Sequence, residues 1–582
     1  MFTRCCRGGI PAALVMVAAG CALFEEKPAK PAERPGGTMA KAGESAVGQP
    51  YLAVQGTIGS VTYVEGGQLM RVRGFGLVCG LNGTGSTKCR PNLREYVERE
   101  IRRARSATPH IQYTQTPQEI IESPDTAVVM VEGEVPAAAA KGRRFDLRVS
   151  AVDEDTKSLA GGILMPCDLK ILAAVSPQEV LEGQTHAKAA GRVFINPFGA
   201  SGGNAAAVNL REGQIIGGGL NLVDRRISLV SSFEAYATVQ QIMDSINRRF
   251  PGEEPTAKAV SPNRVTLRIP EALRGGGEGR FLELVRHLPL SSTPVELEAR
   301  AKLLAGQLVR TDVPPNQTAA ALEGIGESVL PMIQPLYTHA RRQVNYYAAR
   351  TGLRLGDELA MAVIVHHTKD PKSPFRSQAI RELGRSKLTH QAAAALRELL
   401  ADDDPLMRIE AYEALRQVAP QVVARVVVGQ DPQNFLLEMV PAQGPPLIYA
   451  RRTGYPCIGM IGGDRLVCQP PLLYSEAGKT VTLSAKAEDQ MVTLLRKDAK
   501  GMLGPYRAPL SVPRLTQFMG DDLRSDADGK LQGLGLDYAA VLDVLYRLCE
   551  KKAINAQMKW EEPSVEELVG PLEPMGRPES EL

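Results

Sequence analysis

The chain has 582 residues, enough for several domains, and its 44% apolar and 23% charged residues are typical of folded globular proteins. Lysine and arginine total 68 against 65 for aspartate and glutamate, so the net charge of +3 excludes a protein that binds nucleic acid through a bulk excess of cations. Aromatic residues make up only 5% and histidines number 7, which argues against stacking platforms for single strands or sugars and against His-rich metal sites.

The N-terminus predicts an export signal that ends in a lipidated cysteine. Arg4 and Arg7 precede an apolar run at 10–19, which is too short for a membrane-spanning helix of about 20 residues. Small residues then lead to Cys21, as in bacterial lipoproteins, although an ordinary cleaved signal with a chance cysteine is the alternative. We therefore predict a signal peptide over 1–20 and a lipid anchor with a disordered tether over 21–50. The lipid on Cys21 would hold the protein at the periplasmic face of the outer membrane.

The next region, 51–292, predicts short strands separated by glycine turns. The segments 68–73, 127–131 and 145–150 read as strands, whereas 93–107 and 238–249 have the apolar spacing of amphipathic helices. Strands and helices do not alternate regularly, so the region is predicted to be α+β rather than α/β.

A helical block is predicted over 293–442. Similar four-residue segments begin at Asn345, Arg376 and Arg408, which lie 31 and 32 residues apart. A helical pattern that repeats about every 30 residues indicates a solenoid, and the best copies resemble HEAT repeats. An irregular helical domain is the alternative.

Strand patterns return over 443–560, and a helix is predicted at 538–552. The last stretch, 561–582, is acidic and rich in proline, which predicts a disordered tail. The predicted fold class is therefore a multidomain α+β protein, with a β-rich body interrupted by an all-α helical-repeat domain.

Four of the cysteines form two pairs that are close in sequence, Cys79 with Cys89 and Cys457 with Cys468. An exported chain meets an oxidising compartment, so these pairs could form disulfides, and buried free thiols are the equal alternative. No cysteine has CxxC spacing, so the pattern does not predict a zinc or thioredoxin-like site.

The motifs that would carry chemistry fail on spacing. The glycine-rich run at 74–85 lacks the Gly-Lys-Ser/Thr order of a phosphate loop, so we expect its glycines to serve turns and close packing. The segment 526–529 resembles part of a calcium loop, but the required carboxylate position is Gly535. His366 and His367 are adjacent and cannot share one helix face. We therefore predict no catalytic residue, no cofactor and no metal site.

Several segments, in the same order and spacing, resemble the flagellar basal-body P-ring protein family. They are 69–85, 125–136, 142–150, 156–164 and 227–250, followed beyond the helical block by 449–466 and 535–557. The segment 156–164 contains a Lys-Ser-Leu-x-Gly-Gly turn that is the most distinctive of them. The resemblance implies a P-ring-like body in two sequence pieces, 51–292 and 443–560, split by a helical insertion.

The resemblance implies a structural function without chemistry. Copies would self-assemble into a periplasmic ring at the level of peptidoglycan and act as a bushing around the flagellar rod. Neighbouring outer-membrane ring proteins and peptidoglycan would be the other contacts, and the membrane would be reached through Cys21. The alternative is a lipid-anchored envelope scaffold that binds partners through the helical repeats and has no role in motility. An envelope enzyme would need convergent carboxylates, which the sequence spacing does not show.

Overall fold

The computed structural model describes residues 53–106, 115–171, 184–196, 208–232, 234–274, 277–290, 293–429, 434–475, 481–498, 501–525 and 531–561. The predicted signal peptide, Cys21, the tether and all but the first residue of the acidic tail lie outside these residues, as does the whole segment at 526–529.

The first part of the chain contains ten strands and five α-helices. In chain order they are α1 (Ile58–Val61), β1 (Thr62–Glu65), β2 (Met70–Cys79), α2 (Pro91–Ser106), α3 (Pro117–Ile121), β3 (Thr126–Val135), β4 (Arg144–Ala151), β5 (Ile163–Ile171), β6 (Thr185–Arg192), β7 (Glu212–Asn221), β8 (Ile227–Ser231), α4 (Tyr236–Arg249), β9 (Ala257–Ser261), β10 (Arg264–Leu267) and α5 (Glu278–His287), with a short 3-10 helix at Glu271–Leu273.

Six of these strands form a closed antiparallel barrel. The order is β2, β3, β4, β7, β6 and β5, and β5 pairs back with β2. Alternate side chains point inward, and Val72, Val129, Leu147 and Ile215 belong to its buried core. The predicted strands at 127–131 and 145–150 and the predicted helix at 93–107 correspond to β3, β4 and α2.

The remaining four strands form the small sheet domain, with the order β1, β8, β10 and β9. Helices α4 and α5 cover one face, where Ile242, Ile246 and Phe281 are buried against Leu229. Arg225 joins this domain to the barrel, since its Nη1 donates to the carbonyl of Val135 at 2.9 Å.

The helical block follows directly. Its α-helices are α6 (Pro294–Leu308), α7 (Pro315–Ile325), α8 (Leu330–Ile333), α9 (Arg342–Leu355), α10 (Glu358–Lys369), α11 (Arg376–Gly384), α12 (Thr389–Leu399) and α13 (Pro405–Val418), with 3-10 helices at Glu327–Val329, Gln334–Thr338 and Pro420–Val422. The three repeated segments of the sequence fall on α9, α11 and α13. The last α-helix ends at Val418, before the predicted boundary at 442, because the chain then enters a sheet.

The C-terminal domain contains the last eleven strands and two helices. They are β11 (Ala424–Val428), β12 (Phe435–Val440), β13 (Leu447–Ala450), β14 (Cys457–Ile461), β15 (Leu472–Tyr474), β16 (Val481–Ala485), β17 (Met491–Asp498), β18 (Gly501–Pro509), α14 (Val512–Gly520), β19 (Arg524–Ser525), β20 (Leu531–Gln532), α15 (Tyr538–Glu550) and β21 (Gln557–Trp560), with a 3-10 helix at Gly463–Arg465.

Strands of the C-terminal domain form a mixed five-stranded sheet, an antiparallel four-stranded sheet and a short ribbon. The mixed sheet has the order β11, β12, β14, β13 and β21, and the antiparallel sheet runs from β15 to β18. The predicted α+β class with an inserted helical block is therefore confirmed.

Buried ion pairs join the small sheet domain to the helical block. Arg280 of α5 contacts Glu323 of α7, and Arg354 of α9 lies 3.2 Å from Glu323. Arg354 also donates from Nε to Glu382 of α11 at 2.7 Å. Buried charges are stable only when each has such a partner, so this series fixes how the helices stack. A Cβ added to Gly324 would lie 2.8 Å from the carbonyl oxygen of His287 in α5.

A second buried cluster joins the helical block to the C-terminal domain. Glu438 of β12 has no exposed side-chain surface. It accepts hydrogen bonds from Tyr412 and Arg416 of α13 and from Nε of Arg425 at 2.9 Å. Burial alone would raise the pKa of Glu438, but these donors and the nearby positive charges hold it below its ordinary value.

Candidate functional site

The glycine-rich loop after β2 is a close-packed turn. Gly80 and Gly83 have φ angles of 81° and 83°, which residues with a Cβ rarely adopt. The N–H of Gly83 donates to Oδ1 of Asp125 at 2.7 Å. A Cβ on Gly85 would lie 2.0 Å from the carbonyl oxygen of Thr126. The glycines thus serve a turn and a close backbone approach at the start of β3.

The Lys-Ser-Leu-x-Gly-Gly turn is bonded to this loop. The N–H of Lys157 donates to the carbonyl of Thr84 at 2.8 Å, and the hydroxyl of Thr84 donates to the carbonyl of Ser158 at 2.8 Å. Leu159 is fully buried, and its N–H donates to Leu210 at 2.8 Å. Two segments that carried the family resemblance therefore form one structural unit at one end of the barrel.

This unit borders a cavity of about 360 Å³ between the barrel and the C-terminal domain. The turn contributes Ala160 and Gly161, and the C-terminal domain contributes part of α15. Most of the lining is apolar, and its members include Val193, Ile195, Leu210, Tyr474, Val481 and Val544.

The charged groups beside the cavity already have partners. Asp537 caps α15, because its Oδ1 accepts the N–H of Ala540 at 2.8 Å, and burial raises its pKa. Asp543 accepts a hydrogen bond from Tyr474 at 3.2 Å and lies 3.8 Å from Arg547. The cavity therefore offers an apolar surface suited to packing, with its carboxylates engaged in holding the fold.

A half-buried carboxylate joins the barrel to the C-terminal domain in a contact that we call the clasp. Asp146 of β4 accepts the N–H of Gly217 at 2.6 Å and that of Gly454 at 2.9 Å. Gly454 lies 308 residues further along the chain, beyond the whole helical block. Burial raises the pKa of Asp146, and the two backbone hydrogen bonds partly oppose that rise.

A second carboxylate binds the same turn, at the residues just before Gly454. Glu561, which follows β21, accepts the N–H groups of Arg452 at 2.8 Å and Thr453 at 3.0 Å. The ring of Phe194 also packs on Tyr538 of α15, with 5.6 Å between centroids. The barrel and the C-terminal domain therefore share polar and apolar contacts.

We expect Asp146→Ala to lower the free energy of unfolding by about 1–3 kcal/mol, because the buried N–H of Gly217 loses its acceptor and the exposed N–H of Gly454 loses a hydrogen bond. Asp146→Asn, which keeps an acceptor oxygen, should lose less. Since the folded state raises this pKa, the stability that Asp146 contributes is present at low pH and falls as pH rises above its ordinary value of 3.8. Urea unfolding of wild type and Asp146→Asn across pH 4–7 should show that this decline is smaller in the variant; equal slopes would contradict it.

The four cysteines of the predicted pairs are free thiols in the structure, and their pairing stays a prediction. Cys457 and Cys468 are buried, and burial raises their pKa to about 12. Cys79 and Cys89 are half-buried, and burial raises their pKa to about 11. Such thiols react slowly because little thiolate is present. Cys21 lies outside the described residues.

The described residues were searched for membrane-spanning helices and for groups of metal ligands. Among them, no helix is both long and apolar enough to cross a membrane. Across the same parts of the chain, no three His, Cys, Asp or Glu side chains come together in a group that could hold a metal ion.

Sequence reasoning did not identify Asp146, Glu561 or Glu438. Asp146 alternates with Phe145 and Leu147 and reads as an ordinary outward residue of a strand. For Asp146, the sequence offered one indication, which is its position within the segment 142–150 that resembles the family.

Comparison with known proteins agrees with this architecture. Residues 57–303 match the family described as flagellar P-ring protein, and residues 309–424 match HEAT repeats. The resemblance drawn from the sequence, including the helical-repeat insertion, is therefore confirmed for these segments. The matched residues do not include 443–560, so the resemblance of that part remains a prediction.

Curated relatives cover the same region. The flagellar P-ring protein of Sodalis glossinidius is 30% identical over 251 residues, which make up 41% of this chain and 63% of that protein. That of Geobacter metallireducens is 28% identical over 275 residues, 45% of this chain and 68% of that protein. That of Aquifex aeolicus is 30% identical over 247 residues, 41% and 62% respectively.

The chain thus spans about 63% of the length of the first of these relatives, less than two thirds. The matched family region covers the barrel and the small sheet domain and reaches into α6. On these matches, the region from residue 57 to residue 303 is similar to the flagellar P-ring protein family and is followed by a segment that matches HEAT repeats.

Proposed function

We propose that this protein is a structural subunit of a P-ring-like assembly of the flagellar basal body. In this proposal copies of the chain join into a periplasmic ring that surrounds the rod as a bushing, and no reaction is catalysed. The related proteins are named as P-ring proteins, and the part of this chain that matches them contains the barrel and the loop unit described above.

The clasp around residue 454 is the observation that carries the proposal. Asp146 and Phe194 of the family region bind Gly454 and Tyr538 of the C-terminal domain. The barrel therefore does not stand alone, and the chain on both sides of the HEAT repeats forms one packed body. Such a body is what a subunit of a rigid ring requires, since relative motion of its parts would disturb every contact around the ring.

The finer parts of the proposal concern location and partners. Lipidation of Cys21 would place the ring at the outer membrane, and contacts with peptidoglycan and with neighbouring outer-membrane ring proteins would complete its surroundings. The helical repeats would add a surface for a protein partner, as stacked helical repeats commonly do.

Deletion of the gene tests the proposal. We expect cells without the protein to lose swimming in soft agar, and we expect purified basal bodies to lack the periplasmic ring in electron micrographs. Re-expression of the wild-type chain should restore both, and an epitope-labelled chain should be found in the ring. Normal swimming with intact rings after deletion would contradict the proposal and favour an envelope scaffold unrelated to motility.

A further inference from the structure

Among the described residues, the three larger sheets end in six edge strands, and an exposed edge can pair with another chain. Four of them carry features that discourage pairing. These features are Glu65 on β1, Lys258 and an irregular register on β9, a length of three residues after two prolines on β15, and Pro505 and an irregular register on β18. The other two, β11 and β21, are the edges of the mixed sheet.

Strand β11 is the more apolar of these two edges. Its sequence is Ala-Arg-Val-Val-Val, its register with β12 is continuous, and it contains no proline or glycine. Val427 is 52% exposed. The guanidinium of Arg425 points over the sheet face to Glu438 rather than along the edge. This edge is therefore apolar and open to pairing.

The opposite edge of the same sheet, β21, matches β11 in direction. β11 is antiparallel to β12, β12 is parallel to β14, β14 is antiparallel to β13, and β13 is parallel to β21. β11 and β21 consequently run the same way. If copies were placed side by side in one orientation, β21 of one would lie parallel to β11 of the next.

The two edges also agree in which side chains lie on each face. Arg425 and Val427 lie on the face toward α13, together with Glu438, and Gln557 and Lys559 lie on that same face beside Leu447 and Tyr449. The opposite face carries Val426 and Val428 on β11 and Met558 and Trp560 on β21. Pairing Gln557 with Arg425 and Lys559 with Val427 keeps both faces continuous.

We propose that β11 is the subunit-joining edge and that its occupant is β21 of a second copy of this chain. The contact is head-to-tail, so repeated copies close into a ring when the rotation per subunit allows. This inference rests on the ring assembly proposed above and names the surface through which it forms.

Charge placed at Val427 tests the pairing. Val427→Lys sets two lysines opposite each other across the contact, and we expect the assembled fraction to fall about tenfold or more. Val427→Lys combined with Lys559→Glu should restore assembly, because the opposed charges then attract. The control is Val260→Lys on β9, where the valine is 65% exposed on an edge of another sheet, and this variant should assemble like wild type. Assembly is measured on full-length protein by light scattering and electron microscopy, with thermal unfolding to verify that each variant folds.

Cysteine crosslinking tests the register directly. Within one chain the two edges are separated by four strand spacings of about 4.8 Å each, or about 19 Å, whereas a disulfide needs Cα atoms less than about 7 Å apart. A chain with Val427→Cys and Lys559→Cys should therefore form disulfides between copies under a mild disulfide oxidant such as oxidised glutathione. Each single variant serves as the control.

The outcomes separate this inference from the proposed function. Rings formed equally well by wild type and by Val427→Lys, without crosslinks between positions 427 and 559, would overturn the β11 contact and leave the ring proposal standing. A wild-type chain that never assembles would overturn both. Loss of rings in Val427→Lys with recovery in the charge-swapped variant would support both.

Discussion

Replacing Glu438 with alanine is expected to lower the free energy of unfolding by about 3 kcal/mol, because Tyr412 and Arg416 lose a fully buried acceptor and Arg416 keeps only Glu413, at 3.1 Å, as a carboxylate partner among the described residues. Glu438 receives hydrogen bonds from Tyr412, Arg416 and Arg425, and Arg416 has only 17% of its side-chain surface exposed. This carboxylate is the most buried polar contact of the junction between the helical block and the C-terminal domain, beside the apolar packing of Leu447 and Tyr449 on the helices. Urea unfolding followed by circular dichroism at pH 7 measures the loss.

A matched control is available on the surface of the helical block. Glu398 pairs with Lys369, but their side chains are 64% and 53% exposed, so Glu398→Ala should cost no more than about 1 kcal/mol. The pH dependence gives a second check. Because the folded state lowers the pKa of Glu438, its stabilising effect is present above the ordinary value of 4.5 and is lost as pH falls below it. A loss in Glu438→Ala no larger than in Glu398→Ala would refute the assignment.

Gly85→Val is the second substitution with a large expected effect, a loss of about 3 kcal/mol or more. A Cβ at this position would lie 2.0 Å from the carbonyl oxygen of Thr126 and 2.8 Å from that of Pro124. Both are backbone atoms at the start of β3, so they cannot rotate away as a side chain could. The loop would have to leave Asp125 and the Lys157 turn, and we expect a lower midpoint of thermal unfolding and a poorly assembled protein.

Gly306 in α6 provides the comparison for that substitution. A Cβ there would meet no atom within 4 Å, and the residue does not have a positive φ. Gly306→Ala should therefore leave stability unchanged or raise it by up to about 1 kcal/mol, since alanine favours helices more than glycine does. If Gly85→Val unfolded at the same temperature as Gly306→Ala, the close approach at Thr126 would not matter to the fold.

Local pattern was sufficient for many elements of this fold. The apolar spacing at 93–107 and 238–249 predicted α2 and α4, and the 31- and 32-residue intervals predicted α9, α11 and α13. These patterns depend on neighbours within a few turns of one helix. The end of the helical block could not be predicted as well, because Ala424–Val428 becomes a strand only through pairing with β12.

Contacts between distant segments were beyond sequence reasoning. Closure of the barrel requires Val72 to pair with Ile171, and the clasp requires Asp146 to meet Gly454. Neither contact leaves a periodic trace in the sequence. An acidic residue in a strand has the same spacing whether its carboxylate faces water or a turn of a distant segment. The resemblance to the family supplied the segments, and only the fold showed which of them touch.

The contacts among the four parts of the chain form a closed series, in which the last part returns to the first. The barrel holds the small sheet domain through Arg225, α5 holds the helical block through Arg280, α13 holds the C-terminal domain through Glu438, and Asp146 returns to the barrel. The helical block is therefore held to other parts of the subunit at both of its ends. Each part of the subunit is fixed by two junctions. When one junction is weakened, the part on either side of it is still held by its other junction, so the subunit can bear mechanical force.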